Sequence, residues 1–133
     1  MDKEILYQFI GMEILQFATF EENYSDENPE VEISNNLQFS YNFEDRTVKC
    51  VTSVILTQDK VAVLKCELAS FFCLENGTAE SLAQNGTFHA PSELLAQFAS
   101  LTYGAIRGVI FTKTTGSPLN KIILPPNDIR AMF

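Results

Sequence analysis

Three residue types in this chain could carry out bond chemistry, and their spacing does not assemble them into a reactive centre. His89 is the only histidine and stands beside Ala90-Pro91, with no nucleophile or carboxylate at motif spacing. Its imidazole therefore reads as structural. Cys50, Cys66 and Cys73 are odd in number, form no CxxC and each lie inside an apolar run, the pattern of buried free thiols. Glu13, Glu67 and Glu75 fall in or at the ends of strand-like segments, where two carboxylates could divide acid and base work, yet no spacing pairs them. GxGxxG, P-loop, HExxH, GxSxG and cysteine-histidine ligand patterns are missing. The expectation is a binding protein that needs no cofactor or metal and performs no catalysis.

The chemistry that remains is burial and charge. Residues 1–45 hold eleven of the seventeen acids against Lys3 alone. That front-loaded acidity disfavours a nucleic-acid backbone or an anionic membrane surface and favours a basic protein or peptide. Phenylalanine is abundant, eleven residues with no tryptophan, enough to fill a core and also to line a groove for apolar peptide. The amino terminus, MDKEILYQFIG, has acids where a secretory leader has a basic flank, and lacks a long apolar run, so the chain is expected to stay in the cytoplasm.

These residues must be positioned by one domain spanning residues 1–133. Its organising stretch is Ala90 to Thr112, where Leu94, Phe98, Leu101, Ala105 and Val109 follow one face at helical spacing, and Leu95, Ala99, Thr102, Ile106 and Ile110 follow the next. Such a helix is apolar around most of its circumference. A single sheet cannot cover it, so a second copy of the chain is expected against it. Gly104 and Gly108, four apart, mark a flank where another backbone can approach. The expected oligomer interface is Leu94, Phe98, Leu101, Gly104, Ala105, Gly108 and Val109. Glu93, Gln97, Arg107 and the glycines interrupt the stretch too often for a membrane span.

Ahead of the helix the pattern is β. Ile5 to Glu22 is rich in β-formers, with a parity switch near Gly11 and Met12 that predicts a bulge. EENYSDENPE, residues 21–30, is too long for a hairpin turn. Val31 to Phe43 alternates cleanly, and short polar turns link it to Thr47–Thr57 and Val61–Leu74. These three make a meander, leaving the first strand to add at a free edge, the nearer being beside the last strand.

Taken together the chain resembles the SecB family of protein-export chaperones. The resemblance is carried by Phe20-Glu21, Pro29-Glu30-Val31, Cys66-Glu67-Leu68, the helix around Tyr103, Gly116-Ser117-Pro118-Leu119-Asn120 and Leu124-Pro125-Pro126-Asn127. It implies an α+β fold, a four-stranded antiparallel sheet in order 1-4-3-2 with the long C-terminal helix on one face, assembled as a dimer of dimers. It further implies a holdase for unfolded polypeptides, with Glu21 and Glu67 docking the SecA motor. Phe17, Phe20, Tyr24, Ile129, Met132 and Phe133 are the expected groove lining. Two departures point away from SecA: the family has an acid near the position of Phe17, and Lys65 stands where the family is apolar. These departures, with a C-terminus shorter than the family's, motivate the alternative of a SecB-like chaperone dedicated to an antitoxin or another protein partner.

Overall fold

β-Branched and aromatic side chains at alternating positions build four strands, β1 (Tyr7–Thr19), β2 (Glu32–Asn42), β3 (Thr47–Gln58) and β4 (Val61–Leu74). The computed structural model of the chain describes residues 5–27 and 30–125. The strands form one antiparallel sheet in the order β1-β4-β3-β2, as expected. The turn at Asp59-Lys60 is tight enough that both residues take positive φ, 51° and 67°. β1 carries the expected irregularity between Phe9 and Gly11, and a second between Ile14 and Gln16. Each extra residue restores the face that would otherwise flip, so Phe9, Ile14 and Phe17 oppose Phe72, Leu68 and Cys66 on one side of the sheet.

After β4 the chain makes α1 (Asn76–Leu82), begun by Glu75, whose Oε1 accepts from the Gly77 backbone N–H at 3.2 Å. A miniature hairpin follows, β5 (Ala83–Gln84) and β6 (Thr87–Phe88), turned at Asn85-Gly86 with φ of 55° and 73°. The main helix α2 (Ser92–Lys113) crosses β3 and β4. Beneath it lie Val48, Cys50, Val54, Leu56, Leu64, Leu68 and Phe72, all fully buried. Its buried polar residues bond locally: Thr102 Oγ1 donates to the Phe98 carbonyl at 2.8 Å and Thr114 Oγ1 to that of Ile110 at 2.7 Å. Burial pushes the Cys66 thiol up to about 11, leaving it un-ionised at neutral pH.

α2 is long and apolar enough to cross a bilayer by length and composition, but Leu94, Phe98, Ala99, Thr102, Tyr103, Ile106 and Ile110 are buried within the subunit. Two of these correct the expected interface. Leu94 and Phe98 are core residues, buried within the subunit, with Tyr7 and Phe72 closing round Phe98. The Phe98 ring stacks on Phe72 at 4.0 Å and meets Tyr7 edge-on at 4.9 Å. Further along, Leu101 of the same row is 51 % exposed, and Phe111, on the neighbouring stripe with Gly104 and Arg107, is 57 % exposed. Gly104 and Gly108 are exposed with nothing within 4 Å of an added Cβ, while Ala105 and Val109 are half-buried.

Phe98→Ala removes a fully buried ring from both contacts and is expected to destabilise the fold by about 3–5 kcal/mol, measured by chemical denaturation. Leu101→Ala, on the uncovered part of the row, should cost the isolated subunit well under about 1 kcal/mol by the same measurement.

Candidate functional site

Because α2 lies over β3 and β4, the helix-facing side of β2 keeps only partial cover. Ile33, Leu37, Phe39 and Tyr41 stand on that side, opposite Leu56, Thr52, Cys50 and Val48 of β3. Ile33 is 37 % exposed, Leu37, Phe39 and Tyr41 are half-buried, and Phe43 just beyond the strand is 50 % exposed. β2 is also an edge strand, with no strand on its outer side among the described residues. An apolar shelf on an edge strand can hold an extended polypeptide by burial and by strand addition.

One end of the shelf is a cavity of about 570 Å³ lined by Tyr24, Asp26, Val31, Ile33, Lys121, Ile122, Ile123 and Pro125. Two fixtures build it. The crossover connection is held by Gln58, a buried amide that pairs with Ser25 as a strand neighbour would. Gln58 Oε1 accepts from the Ser25 N–H at 2.6 Å, and Gln58 Nε2 donates to the Ser25 carbonyl at 3.0 Å. On the other side, the chain after α2 turns at Gly116 (φ 85°), makes a short 3-10 turn over Pro118–Lys121 and runs back along the helix. There Tyr103 Oη donates to the Pro125 carbonyl at 3.3 Å and Arg107 Nε to that of Leu124 at 3.0 Å. Lys121 reaches Asp26 across the opening at 3.5 Å, both exposed, so the bridge adds little. Burial, then the Asp26 carboxylate, raise the Tyr24 phenol above its ordinary value, which keeps it neutral.

Of the expected groove residues, Tyr24 lines this cavity. Phe17 does not: it lies on β1, at the opposite edge of the sheet, where Lys113 Nζ sits 5.6 Å from its ring centroid. Phe20 is half-buried at the end of β1, its N–H bonded to the Val63 carbonyl at 2.9 Å, and is not among the lining residues. Ile129, Met132 and Phe133 lie outside the described residues. Glu21 is exposed in the 3-10 turn after β1. Glu67 is half-buried on the sheet face turned away from α2, where Ser53 Oγ donates to its Oε2 at 2.9 Å. Lys65 projects from that same outer face, level with Ile55. His89 is exposed beside β6, and among the described residues no group of three or more side chains could hold a metal ion.

No family model matches the chain, and neither does any curated protein. A solved structure does: the Mycobacterium tuberculosis SecB-like chaperone Rv1957, in complex with a ChAD peptide from the antitoxin HigA1. It aligns with 90 % of this chain and 88 % of its own at a TM-score of 0.63 and 16 % identity. The fold is that of a SecB-like chaperone. A protein of unknown function from Streptococcus agalactiae aligns with 92 % of this chain and 99 % of its own, at a TM-score of 0.49 and 9 % identity. In the SecB-like fold seen here, the shelf on β2 and its two flanking walls are the concave apolar surface.

Of the residues named from the sequence, Tyr24 stands at the crossover end of this shelf; Phe39, Tyr41 and Phe43, whose alternation reads equally well as an ordinary buried strand face, and Phe88 on β6 were not named. The available signal was Asn85-Gly86 between apolar neighbours, a hairpin turn rather than a plain connector.

Gln58→Met keeps the side-chain length and removes both bonds to Ser25. The expected outcome is a stability loss of about 1–2 kcal/mol, with faster amide hydrogen exchange confined to residues 22–27.

Proposed function

We propose that this chain is a holdase, an ATP-independent chaperone that keeps unfolded polypeptides, preproteins for export among them, from aggregating by laying extended apolar stretches along β2. The observation that carries this reading is the half-covered aromatic and aliphatic shelf on an edge strand. Shallow, open burial suits a binder of many sequences, because no closed pocket demands one shape. No lysine or arginine stands between Lys3 and Arg46, and Glu30, Glu32, Glu44 and Asp45 are exposed at the two ends of the strand. Clients with basic residues flanking an apolar stretch should associate fastest, and salt should slow them.

Assembly belongs to the same reading. β1 is an edge strand whose Phe9, Ile10, Met12, Ile14 and Leu15 are exposed, a liability for a lone subunit. The outer seam of α2, Leu101, Gly104, Gly108 and Phe111, is uncovered too. A homo-oligomer, a dimer of dimers with these surfaces inside, accounts for both. The proposed setting is the cytoplasm.

A second reading concerns the receiver. Lys65 on the outer sheet face stands two residues from Glu67, so that face does not offer SecA the uniform acidity implied for Glu21 and Glu67. A chaperone reserved for one partner is favoured by this, and it is supported by the antitoxin peptide on the structurally similar chaperone. SecA pulldown separates the two: capture lost in Glu21→Lys with Glu67→Lys supports export, whereas capture of an encoded neighbour alone supports the dedicated chaperone.

The principal test is aggregation of a chemically denatured client, followed by light scattering, with the protein at equimolar tetramer. Suppression is expected, weakened at least threefold by Tyr24→Ser with Ile33→Ser; unchanged aggregation with the parent protein would sink the holdase reading. Light scattering of the free protein should give a multiple of the 14.9 kDa subunit mass. Leu101→Glu with Phe111→Glu should reduce that multiple, and a parent mass of one subunit would remove the assembly.

A further inference from the structure

Sheet edges exposed to solvent are blunted by short strands, lysine, proline or a bulge, because a long regular edge pairs with any strand presented to it. β1 follows that rule through its two irregularities. β2 does not. It runs for 11 residues in unbroken register with β3, from Glu32 opposite Thr57 to Asn42 opposite Thr47. It contains no lysine, arginine, proline or glycine. The charges that flank it are acids: Glu32 in its first position, Glu30 just before it, and Glu44 and Asp45 just after it, all exposed.

Leu37 is the middle residue of the strand. An antiparallel copy of β2 in full-length register therefore lies on a two-fold axis through Leu37, and each residue faces the one equally far on the other side of it. Leu37 then meets Leu37, and Ile33 meets Tyr41, on the helix-facing side. On the outer face Asn36 meets Gln38 and Ser34 meets Ser40, four exposed side chains able to hydrogen-bond across the pair. Asn35 against Phe39 is an unlike pair. Over most of its length the strand thus complements itself, and it fails at its ends. There Glu30 of one copy faces Glu44 of the other, with Glu32 and Asp45 close by, and the two-fold axis repeats the clash at the far end. Like charges directly opposite one another destabilise a strand pair.

We propose that the outer edge of β2 is a self-pairing surface for a second copy of this chain, and that the acids at its two ends hold the copies apart. This surface is separate from the β1 edge and the α2 seam. Copies joined at both edges of the sheet would add subunits without closing, so the acids also limit growth. The same carboxylates attract a segment with basic flanks, so one set of charges admits a guest and refuses a like copy. The inference stands apart from the holdase reading, because pairing is a property of the free protein.

The test is the mass of the free protein, followed by light scattering over a concentration series in low salt. Glu30→Gln with Glu32→Gln, Glu44→Gln and Asp45→Asn removes the end charges, and asparagine keeps the Oδ1 that accepts from the Thr47 N–H at 3.2 Å. The mass is expected to rise to about double the parent's. Glu22→Gln with Glu27→Gln, Glu80→Gln and Glu93→Gln removes as many exposed acids elsewhere and should leave the mass unchanged. Ser34→Lys with Ser40→Lys, added to the first set, puts lysine opposite lysine in the proposed register and should return the mass to the parent's. Leu37→Cys in the neutralised chain should cross-link two copies under mild oxidation, faster than Leu37→Cys in the acidic parent. The neutralised chain that keeps Leu37 gives the baseline, since Cys50 and Cys66 are buried and Cys73 half-buried. Thermal melts confirm that each variant is folded. An unchanged mass in the neutralised chain, equal growth in the control set, or growth retained with the paired lysines overturns the self-pairing edge. Client protection by the parent tests the holdase reading separately, and neither result decides the other.

Discussion

One helix cannot cover four strands. An α-helix with its side chains is about 10–12 Å across, and strands lie about 4.8 Å apart, so α2 shelters two of them. It settles on β3 and β4, the two central strands, whose helix-facing residues alternate into full burial: Val48, Cys50, Val54, Leu56, Leu64, Leu68 and Phe72. The inner faces of β1 and β2, though apolar, are left at the margins. Every surface that could serve this protein follows from that shortfall.

The two margins are finished differently. Along β1 the exposed residues are mainly aliphatic, Ile10, Met12, Ile14 and Leu15, on a strand bent by two irregularities and with a free outer edge. Along β2 the marginal residues are mostly aromatic and are walled at both ends, by the crossover connection with Lys121, Ile122, Ile123 and Pro125 at one and by the β5–β6 hairpin at the other. An exposed apolar edge suits a second copy of the same chain, and a walled shelf suits a guest that comes and goes.

Electrostatics sharpens the distinction. Acids cluster at the ends of β2, while the outer sheet face mixes Lys49, Lys65 and Glu67. Lys49 is engaged locally, its ammonium 6.0 Å from the Phe71 ring. Four acids of the first third, Glu30, Glu32, Glu44 and Asp45, thus fall at the two ends of β2, while Glu13 lies on β1 at the opposite edge, a placement that composition alone does not reveal.

Local pattern determined a good deal: the strand Val61–Leu74, the strand Thr47–Gln58 to within one residue, the clean alternation of β2, the first irregularity in β1 and the start and end of α2 within two residues. Strand order also followed, since tight turns force a meander and the long crossover leaves β1 one near edge. These features are set by neighbours a few residues apart, and periodicity records them. What the sequence could not decide was which apolar residues of a given row are covered. Leu94, Phe98 and Leu101 are equivalent in pattern, yet the first two are buried in the core, Phe98 against Tyr7 and Phe72, and the third is left half exposed. Tyr24 and Phe17 are alike in composition but lie at opposite edges of the sheet. Cover depends on where the finite width of one helix falls across four strands, a distance between elements far apart in the chain, and only the tertiary structure sets it.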